Sequence, residues 1–143
     1  MVVRKVLALL LVLMLSGCVS SQQTSTRTEL EIVDKGLEVI ISPTNNTKVG
    51  GIISVDIKSV PDNAKKILVM LSPYNFVQTD SSKTPFEYPD VAGSFLEGNV
   101  QEYLIDTTTV SNGLYNLAVM VQGEQVSETP WIAGGQVQVI VEN

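Results

Sequence analysis

The sequence predicts an all-β protein: an antiparallel β-sandwich of about seven strands, placed after a secretory leader and a polar tether. Three observations predict it. Apolar residues recur at every second position in several short windows, the pattern of a half-buried strand. Clusters of Pro, Gly, Asn and Asp separate those windows at intervals of roughly ten residues, as in small sandwiches. No window beyond the leader carries a 3.6-residue helical period.

The chain opens with Arg4-Lys5, the apolar run Val6 to Leu15, and then Ser16-Gly17-Cys18. A basic pair, a short apolar stretch and small residues before a cut site are the parts of a secretory signal peptide. The run is too short to span a bilayer core, which takes about 20 residues as a helix. Residues 1–17 therefore read as a removed leader. The stretch VSSQQTSTRT, Val19 to Thr28, has no large apolar side chain after Val19. It cannot bury enough surface to offset its ordering entropy, so it reads as a tether. Residues 18–36 are assigned to the N-terminus and tether, with Leu30, Ile32 and Val33 left open as a short strand or an edge packing segment. The domain proper is assigned to residues 37–143.

From Leu37 each element follows from alternation and punctuation. Leu37, Val39 and Ile41 share one face, and Pro43-Thr44-Asn45-Asn46 then turns the chain. Gly50-Gly51 opens a strand with Ile53, Val55 and Ile57 on one side and Ser54, Asp56 and Lys58 on the other. Pro61-Asp62-Asn63 turns again, and Ile67 to Leu71 is a continuous apolar run whose two faces should both be covered. The middle, Tyr74 to Asn99, is loop-rich, with strand candidates at Phe86 to Tyr88 and then at Gln101 to Ile105. Leu114 to Val121 and Gln136 to Val141 alternate cleanly. The expected inward set is Val39, Ile53, Val55, Ile57, Val69, Tyr115, Leu117, Val119, Val137 and Val139, because a slip of one residue would expose all of it.

Two resemblances add to this reading. Leu15-Ser16-Gly17-Cys18 resembles the lipobox of prokaryotic lipoproteins at all four positions. That resemblance implies diacylglycerol on the Cys18 sulfur, cleavage before Cys18, and a chain lipid-anchored to the cell membrane on its extracytoplasmic side. Two acyl chains give the stable anchoring that one cannot. The run from Tyr103 through Asp106-Thr107-Thr108 and Asn112-Gly113 to Tyr115 and Val119 resembles a signature of bacterial immunoglobulin-like domains. Ile41 to Gly51 and Thr84-Pro85-Phe86 match those domains in order, while Ile105 stands where a Trp is usual. The resemblance implies an immunoglobulin-like sandwich over residues 37–143 and says nothing about a partner. Physically, Asp106 can accept from nearby backbone N–H groups, and Asn112-Gly113 tolerates positive φ. Tyr115 is placed to act as a tyrosine corner, its hydroxyl returning to upstream backbone.

Composition narrows the function classes. The chain has 143 residues, 15 acidic against 9 basic, no histidine and one cysteine. Without histidine the usual general base and commonest metal ligand are missing, and a lone cysteine allows no intrachain disulfide or thiolate metal site. No phosphate-cradling glycine motif or Ser-x-x-Lys occurs. The acidic balance argues against nucleic acid. The expectation is a non-catalytic binding or structural module with no cofactor and no metal site, its partner an envelope protein or glycan. Six acids from Asp80 to Asp106 stand against one base, Lys83; a Ca²⁺ site, a surface for a basic partner and a solvated acidic surface are the readings, and the last is favoured.

Candidate binding residues are aromatic. Tyr74 and Phe76, in a Pro-Tyr-Asn-Phe loop, are expected to be exposed, in the aromatic- and acid-rich middle segment that is expected to meet any partner. Trp131 follows Thr129-Pro130 and resembles the Pro-Trp loop of chagasin-like cysteine-protease inhibitors, without that family's other loop motifs. An envelope protease inhibitor and a carbohydrate-binding module are accordingly the alternatives. The inhibitor requires Trp131 beside the Pro43 to Lys48 and Pro61 to Asn63 loops; sugar or protein binding requires exposed Tyr74 and Phe76 on a flat sheet face.

Overall fold

The computed structural model describes residues 28–97, 99–124 and 131–143. The leader, Cys18 and most of the tether lie outside the described residues, as does Thr129-Pro130. In chain order the strands are β1 (Leu30–Asp34), β2 (Leu37–Ser42), β3 (Lys48–Val49), β4 (Ile52–Ser59), β5 (Ala64–Pro73), β6 (Ala92–Glu97), β7 (Glu102–Asp106), β8 (Gly113–Gly123) and β9 (Trp131–Val141). One sheet has the order β1-β2-β4-β7 and the other β3-β9-β8-β5-β6. All neighbours are antiparallel except the short β3–β9 pair.

The two sheets share one apolar core. Val39, Ile41, Ile53, Val55, Ile67, Val69, Leu71, Leu117, Val119, Val121, Val139 and Val141 have no exposed surface. They are the alternate residues of β2, β4, β5, β8 and β9, so the two-residue period of a strand sorts them inward. Of the expected inward set, Val137 alone is half-buried, packed against the margin of that core. The sandwich class is as the sequence predicts, with nine strands among the described residues where about seven were expected.

Besides the two-residue β3, two strands lie outside the expected set, and both come from segments without legible alternation. The first lies before Leu37. β1 pairs with β2 from Leu30↔Ile41 to Asp34↔Leu37 and buries Leu30 and Ile32 in the common core. Sheet therefore begins at Leu30, within the segment 18–36 that was expected to precede the domain. The chain reverses at Lys35-Gly36, where both residues hold positive φ, the two-residue hairpin geometry that favours glycine. β1 then lies against β9. A Cβ on Gly135 would sit 2.7 Å from the Ile32 Cγ2 atom, and Gly134 N donates to the Asp34 carboxylate at 2.9 Å. A bare backbone at residue 135 is what lets β1 close this side of the sandwich. Ala133-Gly134-Gly135 lies within β9.

The second extra strand is β6, an edge strand paired with β5 through Leu68↔Phe95 and Leu71↔Ala92. The expected strand at Phe86 to Tyr88 is instead a 3-10 turn, Pro85–Glu87. Pro85 at its first position has no N–H to pair in a ladder. Thr84 supplies the start: its N–H donates to the Glu87 carboxylate at 2.6 Å, and its hydroxyl does so at 3.0 Å, one half of a capping box.

If β1 is an integral strand, Ile32→Ala removes a buried side chain next to a bare glycine. The expected cost is about 2–4 kcal/mol by equilibrium denaturation. A cost below about 0.5 kcal/mol, typical of a surface site, would show that β1 is dispensable.

Candidate interaction surface

Each sheet has an outer face, and the two differ in charge. On the β1-β2-β4-β7 sheet, Glu31, Ile40, Asp56 and Glu102 form one cross-strand row, with Glu38 and Asp106 on the same face. Asp56 binds Lys58 at 3.0 Å, and Ser54 donates to Glu102 at 2.7 Å. This face is acidic. A groove of about 680 Å³ runs beside it, lined by Asp56 to Val60 and Asn99 to Glu102. Its ionic groups are already engaged in those contacts.

The outer face of the other sheet is built from the residues between the core positions of β5, β8 and β9. Register places Tyr74, Leu114 and Ile140 in one row, since Tyr74 N donates to Leu114 O at 3.0 Å and Leu114 faces Ile140. The next rows are Ser72, Asn116 and Gln138, then Met70, Ala118 and Gln136, then Leu68, Met120 and Gly134. None of these side chains is charged at neutral pH. Charge returns in the next row, where Lys66 lies between Glu97 and Gln122, and beyond the first row in the Lys48–Glu142 pair, 2.9 Å.

Trp131 completes this face at its far end. β9 carries a bulge between its Val121 and Gln122 partners, so that Ala133 faces Val121 and Trp131 faces Gln122. The extra residue, Ile132, packs on the core, which turns Trp131 outward with Gln122. Tyr74, Leu114 and Trp131 are 56%, 46% and 40% exposed. Tyr74 and Trp131 therefore lie on one face but at opposite ends, nine residues of β9 or roughly 30 Å apart.

Phe76 does not join them. Its ring packs edge-on against Tyr88, centroids 5.4 Å apart, and it is half-buried. Phe86 makes the same contact with Phe95 at 5.7 Å. Because Phe95 faces outward beside Leu68, the segment between β5 and β6 returns over that part of the sheet. Leu68 is only 7% exposed despite its outward position. The middle segment thus splits into a folded loop and an edge strand, and leaves the β8–β9 half of the face open.

The carboxylates of this region hold loops. Asp80 accepts from Ser82 N and Oγ, Glu87 from Thr84, Asp90 from Ser111 N at 2.8 Å, and Asp106 from Thr108 N at 3.0 Å. Bonds from the Ser82 hydroxyl and then its N–H hold Asp80 below the ordinary carboxyl value, Thr84 does the same for Glu87, and the Ser111 N–H does so for Asp90. Among the described residues no three acidic, Cys or His side chains gather as a metal would require. The motif that would have revealed this role is local: an acid two or three residues from a Ser or Thr.

The Asp106 to Tyr115 signature is a structural joint. The Thr107 hydroxyl donates to Gly51 O at 2.9 Å, and the Asn143 amide donates to Thr107 O at 2.8 Å. Asn112 Oδ1 accepts the Asn143 N–H at 2.9 Å, and Gly113 holds φ +154 as β8 begins. Tyr115 is buried in the core, and its hydroxyl makes no hydrogen bond to a described residue, so the expected tyrosine corner is not formed. Burial, and then the nearby Asp90 carboxylate, push its phenol up.

No protein-family model matches the sequence, and no curated protein aligns with it significantly.

Asp90 joins the β5–β6 loop to the β7–β8 connection. Its folded value lies below the ordinary 3.8, so its contribution is present above that value and is lost as pH falls through the folded value. Asp90→Asn is expected to lower the melting temperature at pH 7 and to flatten its decline in acid. Parallel melting curves for both proteins from pH 7 to pH 2 would contradict this.

Proposed function

We propose that this chain is a lipid-anchored, extracytoplasmic binding or structural module without catalytic activity. The observation that carries the reading is Leu15-Ser16-Gly17-Cys18 behind a basic pair and a ten-residue apolar run, Val6 to Leu15. The fold is compatible with it: ordered sheet begins at Leu30, and the eleven residues between Cys18 and Leu30 reach at most about 40 Å when extended. A domain on such a tether works close to the membrane surface.

Strand order supports an immunoglobulin-like assignment. β2, β4 and β7 correspond to strands A, B and E, and β9, β8 and β5 to G, F and C, with β6 in the place of C′. The short β3 beside β9 stands where a split first strand changes sheets. The departures are the added β1, the lack of a strand in position D among the described residues, and the lack of a cysteine pair between the sheets.

Of the two alternatives, the inhibitor reading finds one of its two companion loops, since the Pro61 to Asn63 turn lies at the Trp131 end of the sheet. Lys48 pairs with Ile140 at one end of β9, whereas Trp131 stands at the other. The Pro43 to Lys48 loop and Trp131 therefore cannot form one wedge. The sheet-face alternative keeps Tyr74 but loses Phe76.

Intact mass and detergent partition of the protein isolated from its own membranes test the anchoring. The expected species begins at Cys18 with a diacylglyceryl group and enters the detergent phase. Cys18→Ser should retain residues 1–17. An unmodified Cys18, or native protein that keeps the leader, would overturn the reading.

A further inference from the structure

We propose that the β8–β9 half of the uncharged outer face binds a neutral, linear glycan laid along the strands. The proposal rests on the binding-module reading above and names the ligand class of that module. In a chain of net charge −6, one sheet face concentrates acids and the other has four consecutive rows without a charge. Such a face neither steers ions nor repels a neutral ligand.

Its hydrogen-bonding side chains are amides. Gln136 and Gln138 are exposed on β9, Asn116 faces Gln138 on β8, and Gln122 faces Trp131 at the far end. Amides both donate and accept, as sugar hydroxyls do. At the two ends stand exposed aromatic rings, Tyr74 and Trp131, whose faces suit the C–H face of a sugar ring. A spacing of roughly 30 Å calls for a chain of sugars and not a single one.

Two further observations point to an incoming partner. Asn116 Oδ1 is buried in the second row without a hydrogen bond, a group that normally has a donor. Exposed Gln138 is its cross-strand neighbour. The edge of β9 is also open at this point. Gly134 N is bound by Asp34 and Ile140 N by Thr47 O. Gln136 and Gln138 share their backbone orientation and have no partner strand. Backbone donors and acceptors thus flank the amide strip.

The test is affinity electrophoresis of the full acylated chain in detergent, through gels containing a β-1,4-mannan, a β-1,3-glucan or hydroxyethyl cellulose, with alginate as the acidic comparison. The expected result is retardation by at least one neutral polymer and not by alginate. Tyr74→Ala and Trp131→Ala should each weaken it about tenfold, and Glu102→Gln on the acidic face should leave it unchanged. Circular dichroism checks that each variant folds. Passage unretarded through all three neutral gels overturns the proposal, as does retardation that survives both ring substitutions. A dimer in sedimentation that Leu114→Asp dissociates also overturns it, since a second copy would then own the face. Intact mass on the same sample separates the outcomes: an acylated chain that ignores every glycan fails this proposal and leaves the anchoring reading standing.

Discussion

The structure depends on one constraint, that each long strand must hide one of its two faces against the opposite sheet. Side chains alternate across a strand, so burial of one set fixes the position of the other. In β8, hiding Tyr115, Leu117, Val119 and Val121 necessarily turns Leu114, Asn116, Ala118 and Met120 outward. In β4, hiding Ile53, Val55 and Ile57 turns Ser54, Asp56 and Lys58 outward. The acidic face and the uncharged face are therefore two consequences of one packing decision, written in alternate letters of the sequence.

The ends of the sandwich obey a second rule, that buried or tightly turned backbone needs polar partners. Short side chains supply them: Asp106 caps the turn that begins at Thr107, Asp90 holds Ser111, and Asn143 bonds to Thr107 and Val110. Acids that composition presents as one cluster are spread over separate joints. Asp80, Glu87 and Asp106 are bound by a Ser or Thr two or three residues away, Asp90 by Ser111 and Glu102 by Ser54, and among the described residues these acids form no cation cage.

Alternation made β2, β4, β8 and β9 legible in the sequence, and the continuous apolar run Ile67 to Leu71 marked β5, together with the sandwich they form. β1 was not, because its two inward residues are flanked by an outward Val33 and no period can be read from five positions. β6 was hidden by its glycine and by a half-exposed pattern suited to an edge. Phe86 to Tyr88 has strand-like composition, but Pro85 and the Thr84–Glu87 contact make it a 3-10 turn. At the candidate surface, composition marked Tyr74 and Trp131 but could not reveal that one sheet face holds both. That follows from register and from the bulge at Ile132, neither of which a single sequence displays. Tyr115 was legible as a core residue and misleading as a corner, because only geometry tells whether a hydroxyl reaches an acceptor.

Amide hydrogen exchange by NMR tests the register most directly, since β9 has one paired and one largely open edge. Alternate N–H groups of β9 point toward β8 and away from it. The account predicts slow exchange at Val137 and Val139, which face β8, and at Gly134 and Ile140, which are held by Asp34 and Thr47. It predicts fast exchange at Gln136 and Gln138. The opposite pattern, with Gln136 and Gln138 protected while Val137 and Val139 exchange freely, would mean that β9 is shifted by one residue, and would contradict both the core and the uncharged face derived from it.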